Sequence, residues 1–344
     1  MTTLRPQFEE ALTNIQINGE KAKRAAEAHT EVRGVLEEDP LLLSWGVDTK
    51  LIGSYARNTG IYPGKDVDIF VKLTNLDTTA SPKDVFNAVW RVLDAKYGSR
   101  AKPQDRSIKV DFPHEPGSDP IWTPFAVDAV PAVRDDLRWA IPAKDRDFWL
   151  SDSGRWVTTD PEYFSKLSSE LNTSRSSPTV GGRDAYVPVV KLMRQTRRVH
   201  LGDRRPGGLL IEFATYEAWT RGSVNGSEWE ALFAQTLRRV AERLAVAPNE
   251  PIVDPALGTP VDPAVDAASL LHAAEQFRRL ADLADNANRP QSNICRAATN
   301  WRQILGSNER TPNVFPLPPG CGPSGNPIHP ATLTRRPQEA QGFG

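Results

Sequence analysis

Residues 51–73, LIGSYARNTGIYPGKDVDIFVKL, constrain this chain more than any other stretch. An apolar pair, Leu51 and Ile52, leads into Gly53-Ser54, a polar turn, and then Asp66-Val67-Asp68-Ile69-Phe70. Side chains alternate across a strand, so Asp66 and Asp68 share one face while Val67 and Ile69 share the other. Residues 48–73 therefore read as strand, turn or short helix, strand.

The segments around this unit complete a sheet. RSIKVDF (106–112) alternates well, and WTPFAVDAV (122–130) is an apolar run with a single carboxylate, Asp128, before Pro131 stops it. Between them Pro82 opens a helix carrying Val85, Phe86, Val89 and Leu93, and Gly98 ends it. Upstream, residues 6–38 read as one long helix with a patchy apolar face (Leu12, Ile15, Ala25, Val32, Leu36), closed by Pro40. The order strand, Asp-x-Asp strand, helix, strand, Asp strand is that of a mixed-sheet α+β core.

From about residue 160 the periodicity turns helical. Asp160-Pro161 reads as an N-cap with proline at the first helical position, opening a helix over 161–171. Further helices are expected at 184–200, 207–221, 227–246, 265–287 and 293–305, with a Pro-rich loop at 248–264. After about 307 the chain is rich in Pro, Gly, Asn and Thr without periodicity. Three regions follow: a sheet core with its N-terminal helix (1–160), a helical lobe (161–306) and a Pro/Gly-rich flexible tail (307–344).

The formal net charge is −1, so no global field draws the chain to nucleic acid or membrane. Cys295 and Cys321 have no histidine beside them, so neither a structural zinc site nor a disulfide scaffold is expected, and a reducing cytoplasm is the default. No secretory signal or membrane-length apolar run is present. None of the five histidines has a partner at ligand or triad spacing.

The chemistry lies in the acids and the turn. Together they give the layout needed to hold a nucleoside triphosphate through its phosphates and two Mg²⁺ ions. Transfer at phosphorus by this route uses two metals about 4 Å apart, one activating the attacking hydroxyl and one holding the leaving pyrophosphate. Mg²⁺ takes few protein ligands, mostly carboxylates. Asp66 and Asp68 would bridge both ions, and Asp128, a lone charge that is costly to bury without a cation, is the candidate third acid. A bare Asp-x-Asp is common and reads equally as two solvent-facing acids. The upstream Gly-Ser turn and the third strand acid favour the metal reading. Gly53 lets backbone approach a phosphate, Ser54 offers a hydroxyl, and the next helix N-terminus would add its dipole. Lys191, flanked by apolar residues on the basic amphipathic helix expected over 184–200, suits a cation reaching inward to triphosphate, whereas Arg197 and Arg198 read as a solvated face. Tyr55, Tyr62 and Trp139 could stack on a base, but core packing is their ordinary role.

Gly53-Ser54, Asp66-Val67-Asp68 and Asp128 resemble the DNA polymerase β-type nucleotidyltransferase superfamily. GSYARNTGIYPGKDVDIFVKL is closer still to the bacterial cGAS/DncV-like nucleotidyltransferases, or CD-NTases, as are FAVDAVPAV (125–133), VVKLMRQTRRVHL (189–201), GGLLIEFATYEAW (207–219) and VDPALGTPVD (253–262). The similarity spans most of 40–305, and Asn58 stands where the family usually has glycine. It implies a bilobal enzyme with its active site between a sheet lobe and a helical lobe. It further implies Mg²⁺ (or Mn²⁺ as a substitute) at Asp66, Asp68 and Asp128, phosphate contacts at Gly53 and Ser54, Lys191 on the donor triphosphate, and a polar family position near Glu212. The zinc-dependent DNA-sensing insertion of the animal enzymes is missing. Family members join nucleoside triphosphates into cyclic di- or trinucleotide signals during phage infection, which activate a downstream effector in CBASS defence.

Two rival readings remain at this level. One is a polymerase β-type enzyme that adds nucleotides to an RNA end or a protein; the other is a catalytically silent nucleotide binder. The tail ends at Gly344, which suits conjugation by a ubiquitin-transfer-like partner, as some family members undergo, or else is simply a disordered end.

Overall fold

The apolar stripe of the Asp-x-Asp strand organises the first of two cores. A computed structural model describes residues 3–17, 19–64, 66–113, 124–151, 154–262, 264–289 and 292–328. The chain begins with α1 (Arg5–Ile15), α2 (Gly19–Glu37) and α3 (Pro40–Ser44). Next come β1 (Val47–Ile52), the single turn α4 (Gly53–Ala56), β2 (Asp66–Asp77) and α5 (Pro82–Tyr97). The sheet is completed by β3 (Ala101–Pro103), β4 (Ile108–Phe112), β5 (Phe125–Asp135), β6 (Arg138–Pro142) and β7 (Trp156–Thr159). Its order is β1-β2-β5-β4-β3, with β6 and β7 added beside the far half of β5. Among the described strands only β2 and β5 run parallel, in a register that sets Asp68 opposite Asp128. The sheet is thus mixed, as the sequence predicts.

Val67, Ile69, Val71 and Leu73 of β2 and Val127, Ala129 and Val133 of β5 are fully buried against α2 and α5. Each such valine, leucine or isoleucine contributes about 1.5–3 kcal/mol on burial. The opposite sheet face carries Asp68 and Asp128, because strand alternation leaves them no other side. Pro131 does not end β5, contrary to expectation. It lies where the β4 ladder has stopped (at Ala129) and the β6 ladder has not begun (at Val133), so on that side no neighbour needs its missing N–H.

The helical lobe comprises α6 (Pro161–Thr173), a short ladder of β8 (Thr179–Val180) with β9 (Arg183–Asp184), α7 (Tyr186–Leu201), α8 (Gly208–Thr220), α9 (Trp229–Val246), α10 (Ala267–Ala287) and α11 (Ile294–Leu305). The long helix expected over 6–38 is two helices serving two cores. Phe8, Ala11, Leu12 and Ile15 of α1 bury in the helical lobe, whereas Ala25, Ala28, Val32 and Leu36 of α2 bury under the sheet. Two faces aimed at different cores explain the patchy stripe.

The stretch after α11 also departs from expectation. Residues 307–328 hold no regular helix or strand, yet Val314 and Phe315 are fully buried, and Phe315 meets Phe8 edge-on at 5.0 Å. Arg310 sits 4.2 Å above the Tyr62 ring and donates to the carbonyls of Thr13 and Gln16, which closes the end of α1. Cys295 and Cys321 form a disulfide with Cα atoms 5.2 Å apart. This pairing was not expected; it arises because the segment folds back along α11. Residues 329–344, with the conjugation candidate Gly344, lie outside the described residues. Among the described residues no helix is long and apolar enough to cross a membrane.

Candidate active site

β1 delivers Gly53 and Ser54 directly beside β2, since Ile52 pairs with Asp68. Gly53 has φ +70, which side-chain-bearing residues rarely adopt, and a Cβ built there would lie 2.0 Å from Asp68 Oδ2. The glycine is therefore required twice, by its own backbone and by the carboxylate packed on it. Ser54 closes the turn by accepting at its carbonyl from Thr59 and Gly60 N–H groups at 2.9 and 3.1 Å. The expected contribution of a helix dipole is small, because α4 is a single turn.

Asp66 is exposed, while Asp68 and Asp128 are half-buried and aligned across the parallel ladder. Burial, followed by the neighbouring charge of Asp66, pushes Asp68 up to about 6 despite Arg57 and Arg194. Burial, followed by the charges of Asp68 and Asp66, pushes Asp128 up to about 7. Asp128 Oδ1 is buried without a hydrogen-bond partner. A desolvated acid beside other acids with an orphaned oxygen is chemically suited to a cation. Among the described residues no three His, Cys, Asp or Glu side chains converge to hold an ion by themselves. Mg²⁺ as a rule binds through one or two carboxylates and takes its other ligands from water and substrate phosphate.

Lys191 is buried on α7, and its Nζ donates to Asn58 Oδ1 at 3.3 Å. Asn58 has φ +54, a left-handed conformation that asparagine tolerates better than most residues, so this turn keeps the shape glycine would give it. Burial and the charge of Arg183 push Lys191 down to about 8. Three residues on, Arg194 lines the cleft itself. Arg197 and Arg198, expected to be solvated, instead donate to backbone carbonyls of Pro206 and Tyr62. Tyr62 is buried, and Trp139 packs edge-on against Phe70.

The sequence reading did not foresee what joins the lobes. Glu212, fully buried on α8, accepts from Arg57 Nε at 2.7 Å and Nη2 at 3.2 Å, from Thr59 Oγ1 at 3.2 Å and from Arg194 Nη1 at 3.2 Å. Burial opposes its charge, but Arg57 and Arg194 hold its carboxyl below the usual range. The position near Glu212 thus carries a two-cation clamp, not a small polar contact. The signal was present in LLIEFA, a lone acid in an apolar helix. Between the lobes lies a cleft of ≈ 400 Å³ lined by Gly53, Ser54, Asp68, Arg194 and Gly208 together with further apolar and acidic residues.

The Gly53 geometry gives a direct expectation. Gly53→Ala should lower catalytic turnover by about 10²-fold, the scale of a misplacement near 1 Å. Steady-state rates of pyrophosphate release will check it; wild-type turnover in the variant would mean that Asp68 does not need this contact.

An acid-bearing sheet, a Gly-Ser turn and a helical lobe closing a cleft over them define a polymerase β-like nucleotidyltransferase. More narrowly, the chain belongs to the Second Messenger Oligonucleotide or Dinucleotide Synthetase domain family, whose profile matches residues 1–172, and is thus a cGAS/DncV-like nucleotidyltransferase. It is similar to the cyclic AMP-AMP-AMP synthase of an Acinetobacter strain, with 27% identity over 320 residues, 89% of this chain and 85% of that one. Its fold is similar to Escherichia coli CdnC with ATP, at TM-score 0.63 and 16% identity, covering 91% of this chain and 98% of that chain. It is also similar to Bradyrhizobium diazoefficiens CdnG in complex with GTP, at TM-score 0.63 and 16% identity, covering 88% and 95%.

Proposed function

We propose that the chain joins nucleoside triphosphates, ATP among them, into a cyclic di- or trinucleotide that signals to a downstream effector in the cytosol during CBASS anti-phage defence. The observation carrying this reading is the in-register Asp68–Asp128 pair, in which Asp68 lines the interlobe cleft and Asp128 holds an unpartnered buried oxygen. Membership in a family of second-messenger synthetases supports it, as does the adenine product in the name of the Acinetobacter relative.

In this account a 2′- or 3′-hydroxyl of the acceptor nucleotide attacks the donor α-phosphorus in line. The new O–P bond forms, the bond to the β-phosphate oxygen breaks, and pyrophosphate leaves. Asp128 orients the attacking hydroxyl and takes its proton, Gly53 and Ser54 receive the phosphates, and Arg194 and Lys191 supply positive charge. A second transfer within the linear intermediate closes the ring. Enzymes of this family use divalent metal ions. Two Mg²⁺, held by Asp66, Asp68 and Asp128, would neutralise charge on the phosphates and acidify the attacking hydroxyl. The residues themselves act mainly by positioning.

Purified protein given Mg²⁺ and one nucleoside triphosphate at a time, then in pairs, tests the reading without any primer. Pyrophosphate release under these conditions is expected. Release only after RNA or a protein acceptor is added would favour an end-adding enzyme instead.

Lys191 adds a pH signature. Its ammonium form attracts triphosphate, and burial brings its loss of charge down to about 8. Affinity for a non-hydrolysable ATP analogue should therefore fall as pH rises from 7 to 9, by about tenfold. Lys191→Arg should flatten that profile, because arginine stays charged. Calorimetric titration across pH measures both, and a flat wild-type profile would remove Lys191 from phosphate binding.

A further inference from the structure

The cleft changes character along the sheet. Two residues beyond the paired acids, Phe70 and Val130 stand opposite each other on the same face, and Ile141 of β6 continues that floor. Phe164 and Phe213, in edge contact at 4.7 Å, form part of the facing wall. An apolar slot between floor and wall suits a planar base. Its polar lining is acidic: Asp160 and Asp254 both border the cleft here, beside Thr159, while Arg57 and Arg194 are tied to Glu212.

Asp254 has acceptor capacity to spare. Its Oδ1 accepts from the Ala256 N–H at 2.7 Å in the loop before α10, and the Leu257 N–H also hydrogen-bonds to the carboxylate, whose two oxygens offer about four lone-pair sites in all. Burial raises its carboxyl above the usual range, and the charge of Asp160 adds to that. An ionised carboxylate only accepts, so its remaining lone pairs complement a donor.

Resting on the nucleotide-cleft reading above, we infer that Asp254 reads the base, selecting one with an exocyclic amino group (adenine, guanine or cytosine) over uracil. The amino group donates to the Asp254 carboxylate. Uracil, which presents a carbonyl at the position where cytosine has its amino group, would set oxygen against oxygen. A site built around a hydrogen bond rejects analogues that lack the group more strongly than an apolar pocket does.

The test is equilibrium binding of the four nucleoside triphosphates to the full chain with Mg²⁺, with inorganic tripolyphosphate measuring the phosphate end separately. The tightest amino-bearing nucleotide should bind at least about tenfold better than UTP, the scale of one hydrogen bond to a charged group. Asp254→Asn keeps an acceptor for the Ala256 N–H but turns the other oxygen into an amide donor. It should shrink the CTP-to-UTP affinity ratio by about tenfold while tripolyphosphate affinity stays unchanged. ATP against purine riboside triphosphate, which lacks only the amino group, makes the same comparison on the unaltered protein when ATP is the tightest binder. UTP binding as tightly as the others, or an unchanged ratio in the variant, would overturn the inference while leaving the synthase reading intact. A chain that binds neither nucleotides nor tripolyphosphate would overturn both.

Discussion

Asp68→Asn or Asp128→Asn is expected to lower product formation by at least about 10³-fold, several kcal/mol of lost transition-state stabilisation, and yet to raise the melting temperature. Both effects have one cause. The sheet holds two desolvated acids side by side, with Asp66 nearby, and their carboxyls are pushed up to about 6 and about 7. A carboxylate whose folded pKa lies above its unfolded value destabilises the fold when ionised. The cost is therefore present above pH 7 and fades as pH falls through 7 and 6 toward the ordinary 3.8. Asparagine removes that charge, so each variant should melt about 2 °C or more above wild type at pH 8, and the gap should close at pH 4. Mg²⁺ with a non-hydrolysable nucleotide should stabilise the wild type and leave the variants nearly unmoved. Thermal melts at both pH values, with and without ligand, separate these arms. A variant that melts lower than wild type at pH 8 would show that the acids are paired in some other way.

Glu212→Ala is expected to act in the opposite sense on stability. Arg57 and Arg194 both end on this fully buried carboxylate, and removing it leaves two guanidinium groups facing each other inside the lobe junction. Breaking a buried ion pair by deleting one partner costs about 3–5 kcal/mol. The melting temperature should fall by about 10 °C. Nucleotide affinity should fall with it, since Arg194 loses the acid that orients it and Arg57 belongs to the turn that Gly53 and Ser54 open. Glu212→Gln, which keeps the shape and can still accept from Thr59, should lie between wild type and alanine. Denaturant midpoints and nucleotide affinity of the three proteins check the order. An unchanged midpoint in Glu212→Ala would mean that the lobes are joined by apolar contacts alone.

The contrast between these two effects tracks what was legible in the sequence. Asp66, Asp68 and Asp128 could be read because period-two alternation fixes the face of a strand residue, and a charge in an apolar run stands out. The mixed sheet followed from the same alternation. The Arg57–Glu212–Arg194 clamp could not be read, because Arg57 and Glu212 are 155 residues apart and their pairing depends on how the lobes dock. Pro131 misled for a related reason: whether a proline ends a strand depends on which neighbour needs its N–H. The packing of 307–328 was hidden because Val314 and Phe315 bury as single side chains of an irregular segment, with no period to betray them. The Cys295–Cys321 pairing depends on that same fold-back.

The central claim is that this cleft closes a ring of nucleotides. Its most direct test is to incubate the purified chain with all four nucleoside triphosphates and Mg²⁺, treat the products with phosphatase, and weigh what survives by mass spectrometry. The account expects a phosphatase-resistant product whose mass is that of two or three nucleoside monophosphate units less one water each, absent with Asp68→Asn. Products that are all linear, with termini that phosphatase removes, would contradict it.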